Sequence, residues 1–260
     1  MAVLPLLDAD LWSWPHLRSV AAAVLGFTLA SALVYVLNDL ADRERDRAHA
    51  HKRLRPIASG RVTPWQAVVL ALFLLAGLAL LVATDVRSWW PLLTYLVVNV
   101  AYSFFLKHVP LLDLFAVAVG FVLRLVQGYT AVDAPPSGWL TLCVLSVCLL
   151  LILGKRRHEL RVAGIVHRPA LVGYTEHLLD QLLGLTAASA LITYQLHASS
   201  VSRTALLTAP FALFALFRYL QVVLVHSGGG SPVRVLLRDR VMLANAGLWL
   251  LVLEGGGLYG

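Results

Sequence analysis

The residues whose types and spacing could support chemistry begin in the segment NDLADRERD, residues 38–46. An α-helix turns by about 100° per residue, so Asp39, Asp42 and Asp46 would share one helix face about 60° wide, and Glu44 would point elsewhere. Like charges three and four residues apart repel one another on a helix. A cation must therefore offset these carboxylates, and there are two candidate sources, the neighbouring arginines or a bound metal ion.

Two interpretations of this acidic cluster, Asp39, Asp42 and Asp46, follow from its position beside an apolar run. It could be a solvated helix end whose ion pairs contribute little stability. The aligned carboxylates and the preceding amide of Asn38 instead favour Mg²⁺, which prefers oxygen ligands and bridges to phosphate oxygens. The following segment HKRLRPIASGR supplies basic side chains suited to phosphate, namely Lys52, Arg53 and Arg55. Acid and base in one segment thus predict a magnesium–diphosphate site.

The elements that must position these residues are membrane helices. Only 13% of the 260 residues are charged, against about a quarter in soluble domains, and the mean hydropathy is +0.78. A net charge of +7 in such a chain indicates basic loops beside anionic lipid and not nucleic-acid binding. The predicted fold class is all-α and polytopic. Apolar runs of about 18 or more residues predict eight spans, at 17–37, 65–84, 88–106, 110–132, 138–154, 178–198, 203–225 and 240–258.

Loop charge predicts the orientation of these spans. The segments after the first, third, fifth and seventh spans carry 16 Lys and Arg residues, whereas those on the opposite side carry three. Because positive residues are enriched in cytoplasmic loops, loops 38–64 and 155–177 are expected on the cytoplasmic side of the membrane. We expect residues 1–260 to form a single transmembrane catalytic domain whose site these two loops cap.

Polar side chains also recur inside two spans at helical spacing. The fourth span carries Asp113, Gly120, Arg124 and Gln127, and the third carries Tyr95, Asn99 and Tyr102 and ends near Lys107. Ionisable residues inside a membrane are costly and usually face a cavity, which favours a polar cavity lined by both stripes. The alternatives are snorkelling of Arg124 to the interface and hydrogen bonding between helices by Asn99.

A second charged helix end follows the fifth span, in the segment GKRRHEL. Lys155, Arg156 and Glu159 share one helix face, whereas Arg157 and His158 turn away from it. The cluster is either an ordinary basic flank of a cytoplasmic helix end or a ligand site in which one acid is aligned with the bases. Composition alone leaves both interpretations open.

These motifs carry a specific resemblance. NDLADRERD matches the NDxxDxxxD signature of the UbiA superfamily of membrane prenyltransferases. The segments AYSFFLKHVPLLDLFAVAVGFVLRLVQG, GKRRHEL and LRDRV resemble more narrowly its decaprenyl-phosphate phosphoribosyltransferase branch, and the similarity extends over residues 30–260. The aromatic prenyltransferases of the superfamily have a second aspartate-rich motif where this sequence has GKRRHEL, and a basic–acidic site suits a sugar phosphate better.

The resemblance implies a UbiA-type helical bundle and a transferase reaction. The donor would be 5-phosphoribosyl 1-diphosphate (PRPP), the acceptor a membrane polyprenyl phosphate, and the cofactor Mg²⁺. Metal binding and catalysis would fall to Asp39, Asp42 and Asp46, with Asn38 supporting them. Contacts to the donor phosphates would come from Lys52, Arg53 and Arg55, contacts to the acceptor or ribose from Tyr102, Lys107 and Arg124, and contacts to the 5-phosphate or acceptor phosphate from Lys155, Arg156 and Glu159.

The resemblance also raises alternatives. Members of the family normally have nine spans, and MAVLPLL stands where the first of these would end, so it is expected to be the stub of a missing ninth helix. One rival function is an aromatic prenyltransferase that uses a polyprenyl diphosphate donor. Another is an inactive, truncated relative that binds lipid. The product of the favoured reaction would serve either cell-envelope biosynthesis or the formation of some other ribosylated product, and the downstream pathway and the oligomeric state are left open.

Overall fold

The computed structural model describes residues 1–7, 13–48, 52–83, 86–163, 169–201, 204–226, 230–231 and 237–257. Short parts of the two predicted cytoplasmic loops, 49–51 and 164–168, and the last residue of the final predicted span lie outside these ranges. The described residues form helices and turns without a β-strand, so the all-α prediction is confirmed. The α-helices are α1 Trp14–Ala41, α2 Arg43–Arg47, α3 Pro64–Val82, α4 Trp90–Phe104, α5 Leu112–Thr130, α6 Gly138–Ala163, α7 Glu176–Val201, α8 Ala209–Leu224 and α9 Arg240–Gly257.

Each of the eight predicted spans overlaps with one of these helices, and the chain is a membrane protein. Five helices are long and apolar enough to cross a bilayer, namely α1, α3, α5, α6 and α8. Two shorter apolar helices, α4 and the first part of α9, match two further spans, and α7 matches the remaining one. The count of eight is therefore approximate. Large apolar side chains such as Phe73 and Leu80 are exposed on α3, as expected of a surface that faces lipid.

Local signals explain where the first helices begin. Ser13 adopts an extended conformation and accepts a hydrogen bond from the His16 N–H, with proline in the first turn of α1. Thr63 and Gln66 form a reciprocal capping box at the start of α3. Such caps satisfy backbone N–H groups that have no partner within the helix. The N-terminal stretch MAVLPLL, expected to be a helix stub, forms a 3₁₀ turn at Leu4–Leu7.

The chain divides into two compact units. Unit one consists of residues 1–104 and 123–135. In it α1 packs against α3 and α4, and the ring of Phe27 lies edge-on to Tyr95 with centroids 5.1 Å apart. A glycine at position 26 is required by this packing, because a Cβ there would lie 2.6 Å from the indole ring of Trp89.

Unit two consists of residues 105–122 and 136–260. Here α6 packs along α7, and α8 contacts α6, α7 and α9. Arg157, which is buried, ties three of these helices together, since it donates to the Asp180 carboxylate on α7 and to the Val223 carbonyl on α8 at 3.2 Å. Arg157, which was predicted to turn away from the ligand face of α6, therefore has a structural partner on α7 and another on α8.

Asp239 defines the start of α9. Its Oδ1 accepts hydrogen bonds from the backbone N–H groups of Val241 and Met242 at 3.0 and 3.1 Å, and its Oδ2 accepts one from Arg218 Nε at 2.9 Å. The Met242 N–H, helped by Arg218, lowers the pKa of this carboxyl below its ordinary value. The charged form is thus both a helix cap and a link from α8 to α9.

This cap gives stability a predictable pH dependence. Because the folded pKa of Asp239 lies below the unfolded value of about 3.9, its stabilisation is fully present above that pH and is lost as the pH falls through the folded pKa. We expect Asp239→Asn to lower the melting temperature of the detergent-solubilised protein at pH 7, and this deficit to shrink below about pH 4. Thermal unfolding of both proteins across this range measures the effect, and a deficit independent of pH would contradict it.

Candidate functional site

The acidic cluster lies at a break between two helices. α1 ends at Ala41 and α2 begins at Arg43, and the intervening Asp42 has φ −90° and ψ 3°. Its N–H still donates to the Asn38 carbonyl at 2.8 Å. The prediction of one face for all three aspartates assumed an unbroken helix, so the break changes the expected geometry. Asp39 and Asp46 still converge, and Asp42 has a different partner.

Asp39 and Asp46, which we call the acid pair, share one cation. The Nη1 atom of Arg55 lies 2.8 Å from Asp39 Oδ1 and 2.8 Å from Asp46 Oδ2. The Asp46 side chain is 3% exposed and that of Asp39 25%, whereas Arg55 is 41% exposed. A buried carboxylate requires a charged or hydrogen-bonding partner. The guanidinium supplies that partner and brings the two acids together.

The remaining charges of this segment pair locally. Asp42 lies 3.4 Å from Arg45, and Glu44 lies 3.2 Å from Arg47, both at exposed positions. Arg47 also donates through Nε to the Ala58 carbonyl at 3.2 Å, which connects α2 to the following loop. Arginines were one of the two cation sources proposed for the acidic cluster. In the structure, Arg55 pairs with Asp39 and Asp46, and Arg45 pairs with Asp42.

The donor chemistry of the acid pair nevertheless fits a divalent cation. Two carboxylate oxygens already converge on one positively charged atom. Mg²⁺ is commonly held by one or two carboxylates and completes its coordination with water and substrate phosphates. Among the described residues, no group of three or more His, Cys, Asp or Glu side chains could hold a metal. The fit is therefore to the acid pair together with substrate oxygens, and the metal-binding roles of Asp39, Asp42 and Asp46 all stay predictions.

The other residues of this segment that were predicted to bind substrate lie before and after the acid pair along the chain. Asn38 accepts a hydrogen bond at Oδ1 from Ser103 Oγ of α4, at 2.8 Å. Lys52 and Arg53 are exposed and lie in a 3₁₀ turn, Lys52–Leu54. The same turn leads directly to Arg55. The structure therefore places a basic loop and the acid pair in direct contact through one side chain.

Arg124 lies within a membrane helix and contacts polar and aromatic groups of unit one. Its Nη2 donates to Ser31 Oγ at 3.0 Å and to Tyr95 Oη at 3.2 Å. The guanidinium also lies 5.3 Å from the Tyr95 ring centroid and 5.8 Å from that of Phe27. Cation–π contacts and hydrogen bonds both stabilise a charge in a low-dielectric setting. Tyr102, half-buried on α4, was predicted to share a region with Arg124, and that role is still a prediction.

Two other polar residues of the predicted stripes bond to the backbone. Gln127 donates through Nε2 to the Ser88 carbonyl at 2.8 Å, and Asn99 donates to the Tyr95 carbonyl one turn earlier in its own helix. Asn99 therefore bonds within α4, and the alternative of a bond between helices by Asn99 is not what the structure shows. Gln127 bonds to the 3₁₀ turn Val86–Trp89, which precedes α4.

In unit two, a buried network links three segments around Arg156. Asp113 Oδ2 accepts from Arg156 Nε at 3.0 Å, and Asp113 Oδ1 accepts from Tyr174 Oη at 2.7 Å. Arg156 Nη1 also donates to Glu159. Asp113, Arg156 and Tyr174 are all buried. Burial raises the pKa of Tyr174 above its ordinary value, so its hydroxyl stays protonated and donates to the carboxylate.

This Arg156 network, Asp113, Arg156, Glu159 and Tyr174, also holds a strained turn. Leu111 has a positive φ of 66°, and its N–H donates to Tyr174 Oη at 2.6 Å. Such a conformation costs about 1–2 kcal/mol for a residue other than glycine. Gly173 permits the close approach of this loop, since a Cβ there would lie 2.3 Å from the Pro110 ring. Residues 110–111, which follow Lys107, are thereby fixed to residues 173–174, which come before α7.

The predicted ligand residues of unit two differ in their surroundings. Lys155 is 50% exposed and lies 3.9 Å from Glu159. Lys107 is half-buried in the 3₁₀ turn Leu106–His108. Arg156 is 3% exposed and bonded to two acids. Lys155 therefore has the accessibility that a phosphate ligand needs, whereas Arg156 orders its neighbours.

Two important partners were missed from the sequence. Tyr174 follows a loop whose sequence has no periodic pattern. Asp180 lies on α7, and no basic residue close to it in sequence indicated its partner. Their partners are 61 and 23 residues away along the chain. The one available signal was the unmatched basic excess of GKRRHEL, which indicated that acids must come from elsewhere in the fold.

Known proteins are similar to this chain in sequence. Residues 9–252 match the model of the UbiA prenyltransferase family. The chain is 36% identical over 248 residues to the decaprenyl-phosphate phosphoribosyltransferase of Mycolicibacterium smegmatis, covering 86% of this chain and 75% of that relative. It is 34% identical over 257 residues to the protein of the same name from Mycobacterium tuberculosis, covering 94% and 83%.

A solved structure shares the fold. It is that of a UbiA homolog from Archaeoglobus fulgidus bound to GPP and Mg²⁺, with a TM-score of 0.68 at 18% identity over 94% of this chain and 88% of that one. At this identity the likeness concerns the fold alone. The prediction of a UbiA-type helical fold is confirmed.

The two charge clusters should differ in their contribution to stability. Asp113→Ala leaves the buried Arg156 with one acid fewer, and we expect it to lower the free energy of unfolding by about 3 kcal/mol. The matched variant Asp42→Ala removes an exposed pair and should change it by less than about 1 kcal/mol. Denaturant unfolding in mixed micelles gives both values. Equal effects would show that the Arg156 network does not depend on Asp113.

Proposed function

The chain belongs to the UbiA prenyltransferase family, and from that premise we propose that it transfers the 5-phosphoribosyl group of PRPP to a membrane polyprenyl phosphate, such as decaprenyl phosphate. The observation that carries the proposal is the acid pair, Asp39 and Asp46, in contact with a basic loop that contains Lys52, Arg53 and Arg55. A carboxylate pair suits a hard cation, and adjacent Lys and Arg suit the phosphates that such a cation accompanies.

The proposed reaction is a displacement at the anomeric carbon. An oxygen of the lipid phosphate forms a bond to C1 of the ribose, and the bond from C1 to the diphosphate oxygen breaks, so diphosphate leaves with the electron pair. The product is a polyprenyl-phosphoryl 5-phosphoribose. The attacking phosphate is ionised near neutral pH, so no side chain needs to remove a proton, and the protein contributes orientation and charge stabilisation.

The residues of the acid pair would hold Mg²⁺, with Asp42 and Asn38 as further candidates. When bound, this ion supplies charge neutralisation for the departing diphosphate. Lys52 and Arg53 are exposed and therefore accessible to the donor phosphates. Tyr102, Lys107 and Arg124 are proposed to contact the acceptor or the ribose.

The identity of the donor rests on the segment GKRRHEL. Its accessible base, Lys155, lies beside Glu159, and such a base–acid pair suits a phosphate and the hydroxyl groups of a sugar. The names of the two relatives support a phosphoribosyl group as the part transferred and decaprenyl phosphate as the acceptor. Lys155 and Glu159 are therefore proposed as contacts of the 5-phosphate or acceptor phosphate, and Arg156 as the residue that orders Glu159.

The location follows from loop charge. Loops 38–64 and 155–177 are the most basic segments of the chain, so we place them at the cytoplasmic face of a bacterial inner membrane. A water-soluble donor such as PRPP would reach the protein from that side.

The proposal is tested directly by turnover. Membranes that contain the protein are incubated with radiolabelled PRPP and polyprenyl phosphate, with Mg²⁺ or EDTA, and lipid-soluble label is measured. We expect Asp39→Asn to reduce kcat by about 10²–10³-fold, the range for loss of one group that stabilises transition-state charge. Glu44→Gln is the matched control, since Glu44 is exposed and lies outside the acid pair, and it should retain activity.

The same assay separates the rival functions. A parallel incubation supplies polyprenyl diphosphate and a radiolabelled aromatic acceptor. A labelled prenylated product there, with no label transferred from PRPP, would replace PRPP transfer with aromatic prenylation. Binding of polyprenyl phosphate with no product from either substrate pair would favour an inactive lipid-binding relative. A lipid-soluble phosphoribosyl product that requires Mg²⁺ supports the proposal.

A second variant tests the donor contact. We expect Lys155→Gln to raise the KM for PRPP about tenfold with little change in kcat, because a charge-assisted hydrogen bond made in both ground and transition states is lost. Lys155→Arg retains the charge and should restore most of the affinity. Initial rates over a range of PRPP concentrations measure both parameters. An unchanged KM would remove Lys155 from the donor site.

A further inference from the structure

Arg55 occupies the position between the acid pair that a cation would take. We propose that Arg55 is an exchangeable counter-cation, which neutralises Asp39 and Asp46 when no metal is bound and is displaced from them when a divalent cation binds. The displaced guanidinium would then be available to the donor diphosphate. This inference rests on the proposed function, because it concerns the same site and its metal.

Electrostatics requires some cation at this position. Asp46 is almost fully buried, and an ionised carboxylate in that setting is strongly destabilising without a partner. Asp39 adds a second negative charge that repels the first. A single Arg55 nitrogen lies 2.8 Å from an oxygen of each, so one positive charge offsets both. Without Arg55, the acid pair would need another cation.

The arginine and a divalent ion exclude each other. Mg²⁺ would bind the oxygens that now accept from Arg55 Nη1, and its bonds of about 2.0–2.1 Å leave no space for a second donor between them. Two positive charges within about 4 Å of each other also repel. Metal binding therefore requires the guanidinium to leave the acid pair.

The surrounding loop permits that movement. Its backbone is held by contacts that do not use the Arg55 side chain, including the bond from the Ser59 N–H to the Arg55 carbonyl at 2.8 Å and the bond from Arg47 to the Ala58 carbonyl. Ile57 and Ala58 are buried. The Arg55 side chain itself is 41% exposed. Exchange therefore needs a change in one side chain and leaves the loop in place.

Exchange couples the metal to the diphosphate. Displacing Arg55 by metal alone breaks two charge-assisted hydrogen bonds without replacing them, so metal alone should bind weakly. When diphosphate is present, the guanidinium gains phosphate oxygens as partners, to which arginine binds with two parallel hydrogen bonds. By linkage, metal and diphosphate then raise each other's affinity.

The test measures metal binding without substrate. Free Mn²⁺ is titrated by electron paramagnetic resonance against the full-length protein in detergent. We expect Arg55→Gln to increase Mn²⁺ affinity about tenfold, within the range of coupling between two sites. The matched control is Arg53→Gln, which removes the same charge from the same loop at an exposed position that makes no ion pair with Asp39 or Asp46.

Thermal unfolding gives an independent measurement. In EDTA, Arg55→Gln should melt at a lower temperature than Arg53→Gln, because the acid pair loses its shared cation. The same saturating concentration of Mg²⁺ should raise the melting temperature of Arg55→Gln more than that of the wild type, since the stabilisation by a ligand of the folded state grows with the logarithm of its affinity. If Arg55→Gln does not fold, Arg55→Lys replaces it, with Arg53→Lys as control. Lysine has a shorter side chain with a single nitrogen and holds two carboxylates less well than arginine does. The Mn²⁺ affinity of Arg55→Lys should therefore still exceed that of Arg53→Lys.

The outcomes are distinct. The exchange would be overturned if the variant at position 55 bound Mn²⁺ no more tightly than its control at position 53. A gain confined to the position-55 variant supports it. These measurements use neither PRPP nor lipid phosphate, so they can succeed even if the proposed donor is wrong, and they can fail even if PRPP transfer is found.

Discussion

Pairing between arginine and carboxylate at the ends of membrane helices is the interaction on which the rest of this structure depends. Charged groups next to lipid lose much of their hydration, so each requires a partner of opposite sign. Arg55 does this for Asp39 and Asp46, and Arg156 does it for Asp113. Both arginines bond to two acids. The positions of the acids along the helices therefore determine which loops can be held close to the helix ends.

The two arginines nevertheless differ in accessibility, and that difference favours the proposed exchange for Arg55 and a structural role for Arg156. Arg156 is 3% exposed and bonded within a network that includes Tyr174 and a strained turn at Leu111. Arg55 is 41% exposed and joined to the fold through a loop with other anchors. A buried guanidinium with satisfied hydrogen bonds contributes order. A half-exposed one can change partners at modest free-energy cost.

Much of the fold could be predicted because hydrophobic length and loop charge are local properties. Each of the eight apolar runs overlaps with one helix, and the NDLADRERD segment contains the acid pair. The angular argument for three aligned aspartates was less successful, because it required a continuous helix and α1 ends at Ala41. Helical periodicity describes a face only as far as the helix continues.

The sequence by itself determined that the chain is a helical membrane protein with an acidic and a basic motif at one helix end, because composition and spacing express these directly. Only the tertiary structure decided which charges meet. Arg55 reaches two acids 9 and 16 residues away, and Asp113 meets Arg156 and Tyr174 at separations of 43 and 61 residues. Such pairings depend on how helices pack and loops fold back, and no local pattern in the chain specifies them.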